Sequence, residues 1–374
     1  MRVNRVCKIL AVIMNGLLVM TAPEQATAQS TYDDIWKFAE WYHNDQNETV
    51  QSVLFSGRFQ YEFAAVDADQ GTHHEWNVRR VRLGVKSELF HEFTVHVEVG
   101  LNPQERDPFY KRLTDAYIEW EANDIFALTV GKQGVPFTMD GSTSSKDLLT
   151  IDRSNLANNM WFPQEYMPGV SASGGRSNWV YRLGVYSGGS ANRYFGEFNG
   201  SAFGLLSLGY DFSEALGVEE ALLRGNYVYQ DPDPNNTFTR QLQHVASVNF
   251  KFEVDRWGFQ SDFSLGSGYM GQSDLWGVMT MPFVNLTSRL QVVGRHTYLR
   301  SRDANGVRLA RYENQVTAGR GDRYNEFYAG LNYYLYGHKL KLQSGVQYAD
   351  MNDGAADGGA YSGIAATTGL RVSW

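Results

Sequence analysis

Arginines carry the most specific chemistry in this sequence. Arg79, Arg80 and Arg82 fall within four residues, and Lys86 follows. A guanidinium presents a rigid fork of donors that pairs bidentately with phosphate, and rings of Arg or Lys select anions in pores. The residues around them alternate apolar with polar, but the alternation changes phase. Trp76 and Val78 are apolar at even positions, whereas Val81, Leu83, Val85 and Leu89 are apolar at odd ones. A one-residue β-bulge at Arg79-Arg80 accounts for the flip and would turn both guanidiniums to the side of Arg82 and Lys86. Two readings of that side stay open: an anion ladder, or generic charge lining water. Other chemistry is missing. Gly266-Ser267-Gly268-Tyr269-Met270-Gly271 fits G-x-G-x-x-G, but it lies in an alternating segment with no helix after it. His73-His74 lack a third ligand, and G-x-S-x-G, H-E-x-x-H and P-loop patterns are absent. No catalytic residue, metal or cofactor is implied, and the chain reads as a non-enzyme.

The elements that must hold these arginines are β-strands. Phe59, Tyr61 and Phe63 alternate with Arg58, Gln60 and Glu62, and Phe93, Val95, Val97 and Val99 alternate with Glu92, Thr94, His96 and Glu98. Successive strand side chains point to opposite faces, so each segment has one apolar and one polar face. Sixteen such segments run from residue 52 to 374. Short connections, such as His91, Asn123-Asp124, Asp255-Arg256 and Gly337, alternate with long polar ones, including 67–74, 102–109, 137–167, 188–201, 231–240, 301–323 and 351–360. That sorting is expected of an all-β transmembrane antiparallel barrel with short periplasmic turns and long outer loops. An even strand count closes the sheet and leaves no edge in lipid. On inward parity lie Arg182, Arg224, Arg289 and Arg295, with Lys251, Lys339 and Lys341. Glu62, Glu92, Glu98, Glu119, Glu253 and Asp262 share that parity, so the lumen is mixed in charge.

Composition agrees. The 374 residues include 21 Phe, 22 Tyr, 9 Trp and 37 Gly, with a single Cys and a net charge of -8. A mean hydropathy of -0.39 excludes a polytopic helical membrane protein. An acidic balance without a basic block argues against nucleic acid as a partner. Arg2, Arg5 and Lys8 precede an apolar run from Ile9 to Met20, and Ala26-Thr27-Ala28 is an A-x-A cleavage site, so residues 1–28 read as a secretory signal peptide. Its removal takes Cys7 with it. Residues 29–51 form a periplasmic leader in which Ile35, Phe38 and Trp41-Tyr42 suggest a short amphipathic helix before polar Asn44 to Thr49. The last strand ends Thr367-x-Gly369-x-x-Val372-x-Trp374. This terminus resembles the signal read by the outer-membrane barrel assembly machinery, with Gly369, Val372 and Trp374 as its marks. Acid gathers in Asp231-Pro232-Asp233 and in Asp350 to Asp357, which read either as solvated loops or as contacts for divalent ions or lipopolysaccharide.

Several segments resemble the phosphate-selective porin O/P family of bacterial outer membranes. They are Arg79-Arg80-Val81-Arg82-Leu83-Gly84-Val85, Thr114-Asp115-Ala116-Tyr117-Ile118-Glu119-Trp120, Val130-Gly131-Lys132-Gln133-Gly134-Val135-Pro136-Phe137, and Thr143-Ser144-Ser145-Lys146-Asp147 continuing to Asp152-Arg153-Ser154. Near the end, Ala329-Gly330-Leu331-Asn332-Tyr333-Tyr334-Leu335 is similar too. The resemblance implies a sixteen-stranded, usually trimeric porin whose third long loop, here 137–167, narrows an anion-leaning pore. It implies a constriction of Arg79, Arg80, Asp115, Ser144, Ser145 and Arg153. Two positions depart: Gly141 stands where the family has a loop lysine, and Leu149 where it has a tyrosine. Lys146 replaces the charge but not the position. The expected function is passive diffusion of small solutes, leaning to phosphate or other small anions. The alternatives are a general or sugar-passing porin and, in another class, a structural or adhesion barrel or a barrel enzyme.

Overall fold

The computed structural model describes residues 25–104, 107–188, 195 and 201–374. Most of the expected signal peptide falls at residues 1–24, outside the described residues. The chain closes into a sixteen-stranded antiparallel barrel. Its first eight strands are β1 (Val50–Ala68), β2 (Gly71–Leu89), β3 (Phe93–Leu101), β4 (Tyr110–Asn123), β5 (Phe126–Gly134), β6 (Tyr166–Arg176), β7 (Trp179–Ser187) and β8 (Ala202–Asp211). The second eight are β9 (Glu220–Gln230), β10 (Leu242–Val254), β11 (Trp257–Gly268), β12 (Leu275–Asn285), β13 (Leu290–Ser301), β14 (Arg323–Tyr336), β15 (Leu340–Asn352) and β16 (Tyr361–Ser373). Each strand pairs with its sequence neighbours, and β16 returns to β1 with Gly363 opposite Ala68 and Ser373 opposite Arg58.

Alternation decides which face is which. In β1, Arg58, Gln60, Glu62 and Ala64 are buried inside, while Phe59, Tyr61 and Phe63 face out. Exposed apolar side chains such as Val97, Ile118, Val130, Val185 and Leu208 continue the outer band, where an arginine would cost roughly 2–4 kcal/mol at mid-bilayer. The phase flip in β2 is a bulge: Gln60 faces Arg80 while the next residue, Tyr61, faces Val78, so Arg79 is the extra residue.

Two expected boundaries are corrected. Residues 67–74 do not form an outer loop, because β1 and β2 run on as a hairpin to a turn at Asp69-Gln70. Above the lipid the outward face no longer needs apolar residues, so the alternation fades while the backbone ladder persists. The leader differs as well. Its helix α1 (Gln25–Trp36) crosses the predicted cleavage point at Ala26 and Ala28 and ends before Phe38. A 3-10 turn (Lys37–Ala39) follows, and Glu40–His43 is a short strand pairing with Ser52–Leu54 of β1. Trp41 and Tyr42 are therefore extended rather than helical. The reason lies in β1, whose first residues reach past the end of β16 and offer unpaired ladder groups.

The barrel seam carries an aromatic cluster. Trp374 and Gly57 exchange backbone hydrogen bonds of 3.1 Å. The indole lies so close over Gly57 that a Cβ there would come within 2.4 Å of it. Phe38 and Phe55 flank Trp374 at 5.8 Å, Trp41 stacks on Phe55 at 5.2 Å, and Trp36 donates to the Ser373 carbonyl at 2.7 Å.

Candidate anion constriction

The long connection 135–165 enters the barrel. Residues 148–152 lie against the wall opposite the loop's own strands. Lys341 and Gln343 both donate to the Leu148 carbonyl, Asn332 to that of Leu149, and Arg371 to that of Ile151. Two short helices, α2 (Thr138–Ser142) and α3 (Asn155–Met160), hold its ends. Met139 N donates to Asp262 of β11 at 2.7 Å. Ser154 caps α3 by accepting from Ala157 N and in turn donates to Asp140. Two other outer loops fold onto α3. Phe238 of loop 231–241 stacks between Phe203 and Trp161, and Arg240 donates to the Phe162 carbonyl. In loop 302–322 the Arg308 carbonyl accepts from Asn155 and Asn159. The result is an apolar cap core of Phe137, Leu156, Met160, Trp161, Phe238 and Leu309, all buried.

Beneath this cap the loop and wall bring a dense charge network together. Arg79 reaches Asp152 at 3.3 Å and Glu62 at 3.8 Å. Arg82 pairs with Glu98 at 3.3 Å and Glu165 at 3.4 Å, and it lies 4.7 Å over the Tyr166 ring. Glu165 is a hub that also receives Arg112 at 3.1 Å and Arg153 at 3.2 Å. Glu62 takes Arg371, Arg311 and the Tyr312 hydroxyl. Arg295 binds Glu326 at 2.8 Å and the Asp152 carbonyl at 2.9 Å. In the loop, the crowd of guanidiniums, Arg79 foremost, outweighs burial and holds the Asp152 carboxyl down at about 2. Around Glu165, too, burial is outweighed: Arg153, Arg80 and Arg82 hold its carboxyl well below the usual carboxylate range.

Arg80 stands apart. It is buried, donates to Gln60 Oε1 at 2.9 Å, and has no carboxylate within ion-pair distance among the described residues. Buried guanidinium donors are also left without hydrogen-bond partners at Arg153 Nε and Nη1 and at Arg371 Nη1. A buried charge is costly unless a counter-charge or hydrogen bond answers it. Arg79, Arg153, Arg295 and Arg311 line a pocket on the outer side together with Asn158 and Tyr312. Towards the short turns, Arg182 and Arg224 line a recess of about 450 Å³ with Asp124 and Tyr181. Cationic side chains therefore stand on both sides of the constriction.

The other expected site residues divide. Ser145 Oγ accepts from Arg58 at 2.7 Å inside the network, whereas Ser144 is exposed and caps its own turn through Lys146 N. Asp115 is buried directly across from Glu98 and forms no salt bridge among the described residues. Lys86 is inward, opposite His96. Arg289 is corrected: it lies in the turn between β12 and β13, not on a lumen strand, because β13 starts at Leu290. Lys339 likewise sits in the turn before β15. Gly141 cannot host a lysine without disturbance, since a Cβ there would come within 3.0 Å of the Trp161 ring. Leu149 belongs to the cap core. Lys146 does not stand in for the missing lysine; it reaches the Trp374 carbonyl at 2.8 Å. The outer acids cap their own loops: Asp353 accepts from Gly358 and Gly359, and Asp233 from Asn235. Sequence reasoning missed Arg58, Arg112, Arg311, Arg371 and Glu165 as site residues. Arg58 and Arg371 had inward parity as a signal, whereas Arg311 and Glu165 lie in loops without periodicity.

Glu313, in loop 302–322, is buried beside Glu326. Tyr324 Oη lies 2.9 Å from Glu313 and 3.1 Å from Glu326. One hydroxyl proton serves only one of these carboxyls, so the other contact needs a proton on the carboxyl itself. Burial first, then Glu326, pushes Glu313 up to about 7.

Comparison with known proteins bears on the fold and the family. The family described as phosphate-selective porin O and P matches residues 53–202. No curated protein sequence matches the chain. Among solved structures, an anion-selective porin from Comamonas acidovorans aligns with a TM-score of 0.61 at 12% identity, covering 86% of this chain and 99% of that one. OprB of Pseudomonas putida aligns with a TM-score of 0.61 at 10% identity, covering 86% and 94%. The outer membrane channel DcaP of Acinetobacter baumannii aligns with a TM-score of 0.57 at 12% identity, covering 86% and 97%. At these identities the structural likeness speaks for the fold. With the family match it supports a porin of the bacterial outer membrane.

Proposed function

We propose that this porin passes small anions, phosphate among them, through a constriction built from Arg79, Arg80, Arg82, Arg153 and Ser145 against the inserted loop. The observation that carries the reading is Arg80, a buried guanidinium without a carboxylate, next to orphaned donors on Arg153. Arginines outnumber carboxylates in the network described above, so its field favours anions. The remaining carboxylates position the guanidiniums and keep any one anion from being held too tightly to leave. Glu98, paired with Arg58 and Arg82, serves that role on the β3 wall, and Arg182 and Arg224 continue the cationic path below. No covalent step is involved. In this reading the chain works as a homotrimer, inserted by the barrel assembly machinery through its Gly369, Val372 and Trp374 terminus, with residues 1–28 removed on export.

The test is a single-channel reversal potential in a chloride gradient, with phosphate titrated in as a blocker. An anion-favouring potential and phosphate block of the chloride current are expected. A potential favouring cations would replace this reading with a general porin.

A further inference from the structure

Outside the barrel, at the end towards loop 302–322, three strands carry an unusual row. Trp276 of β12 lies directly across from Arg300 of β13, and Arg300 directly across from Arg323 of β14. Both arginines are exposed, and their chain neighbours Leu299 and Tyr324 are fully buried inward, so the row faces out. Below it on the same face stand Tyr298 and the exposed Phe327. Arg302 adds a third guanidinium, its side chain 77% exposed and 3.8 Å from Asp274. Arg300 and Arg302 line a recess of about 450 Å³ with Trp276, Leu265 and Asp274, and Arg323 stands beside it.

Like charges directly opposite across a sheet destabilise it, because their Cβ atoms are only about 4.5–5.5 Å apart. Here no partner relieves the pair: the side chains of Arg300 and Arg323 make no ion pair or hydrogen bond among the described residues. The carboxylates of this rim do not reach that pair. Asp274 accepts from Gly268 N and Ser267 through Oδ1 and faces Arg302 through Oδ2, and Asp350 accepts from Asn325. Aromatic side chains mark the level where hydrocarbon gives way to headgroups. Long basic side chains there lay their stems on apolar surface and raise their charges into the headgroup layer.

We propose that Arg300, Arg323 and Arg302 seat a phosphate of a phosphorylated glycolipid, lipopolysaccharide, in the outer leaflet. A phosphate monoester carries about -1.5 to -2 charge and accepts bidentate pairs from guanidinium. One such group bridges the opposed arginines and turns a repulsive pair into an ion triplet. The acyl chains below it lie against Tyr298 and Phe327. The proposal depends on the barrel's place in the outer membrane and not on what passes through its pore.

The test compares the full-length channel with the Arg300→Ser/Arg323→Ser variant and with Arg256→Ser, which removes a charge from the opposite rim. Retained lipopolysaccharide is quantified by native mass spectrometry after purification in mild detergent. Rebinding is measured with lipid A and with dephosphorylated lipid A. The double variant should retain about tenfold less lipid than wild type, and Arg256→Ser should match wild type. Dephosphorylated lipid A should bind the wild type as weakly as lipid A binds the double variant. Single-channel conductance should be unchanged, which separates this site from the pore. Equal retention by wild type and double variant overturns the proposal. So does displacement of the lipid by millimolar inorganic phosphate, which would mark a free-anion site. Loss of the trimer in the double variant also overturns it, assigning the row to a subunit contact.

Discussion

Replacing Arg80 tests the pore with the fewest side effects, because its guanidinium has no carboxylate to strand. Arg80→Gln keeps a donor near Gln60 and removes one charge. A unit charge about 5 Å from a passing ion is worth about 0.8 kcal/mol at the dielectric of water and about 3 kcal/mol at an effective dielectric of 20. Physiological salt, with a Debye length of about 8 Å, roughly halves both figures. The floor is then about 0.4 kcal/mol, or about a twofold fall in local anion concentration and a twofold rise in cation concentration. The anion-to-cation permeability ratio should drop by about fourfold at that floor, and further if the passage is drier. Arg80→Lys separates charge from geometry. It should hold the wild-type reversal potential while weakening phosphate block, because an ammonium lacks the planar fork. Planar-bilayer recordings in a tenfold chloride gradient, before and after added phosphate, read both quantities. If Arg80→Gln leaves the reversal potential where it was, the permeating ion does not feel this charge and the constriction lies elsewhere. If Arg80→Lys blocks as well as wild type, the fork is irrelevant.

Trp161 stacks on Phe238 and fills the cap core, so Trp161→Ala should cost the loop about 3–5 kcal/mol of packing; the expected result is larger, noisier conductance with unchanged resistance of the barrel to heat in SDS. Glu313 gives the cap a pH dependence. Its carboxyl is pushed up to about 7, so its contribution is complete below the usual carboxylate value near 4.5 and is lost as the pH climbs through 7, a difference of about 3 kcal/mol. Proteolysis of loop 302–322 should rise between pH 5 and pH 8 in wild type and stay flat in Glu313→Gln. Trp374→Ser should lower the yield of folded barrel in the membrane and its heat resistance in SDS; wild-type yield and resistance would show that the terminus is no assembly signal.

Strand pattern and closure were legible in the sequence because lipid outside and water inside force opposite demands on alternate residues. The bulge at Arg79 was legible for the same reason, as a break in that alternation. The signal failed where the demand lapsed. Asp67 to His74 stand clear of the lipid, so their polar residues looked like a loop although the ladder continues there. Arg289 was read as lumen-facing because turn and strand differ by a single residue at Leu290. The network at Glu165 was not legible at all. Three guanidiniums from two strands and a loop meet it only because residues 135–165 fold across the lumen, and neither periodicity nor spacing encodes that path. Gly141 and Leu149 show the reverse. As departures from the family pattern they stand where the resemblance expects a lysine and a tyrosine, and in the structure they pack within the cap.

The seam at Trp374 bears on the order of events during folding. Trp36 and Ser373, joined there by a hydrogen bond, are separated by 337 positions in the chain. Closing a loop of that length costs about 5 kcal/mol beyond a constant term, and no part of the cost is recovered until the final residues have been exported. Leader, first strand and last strand then meet at one place, so closure is a late and concerted step. Until it occurs, β1 presents a bare edge and the whole outward apolar band is unshielded in the aqueous space between the membranes. A chain of this design depends on being escorted through the periplasm, and one cut short by a single strand would have no seam to close and every reason to aggregate.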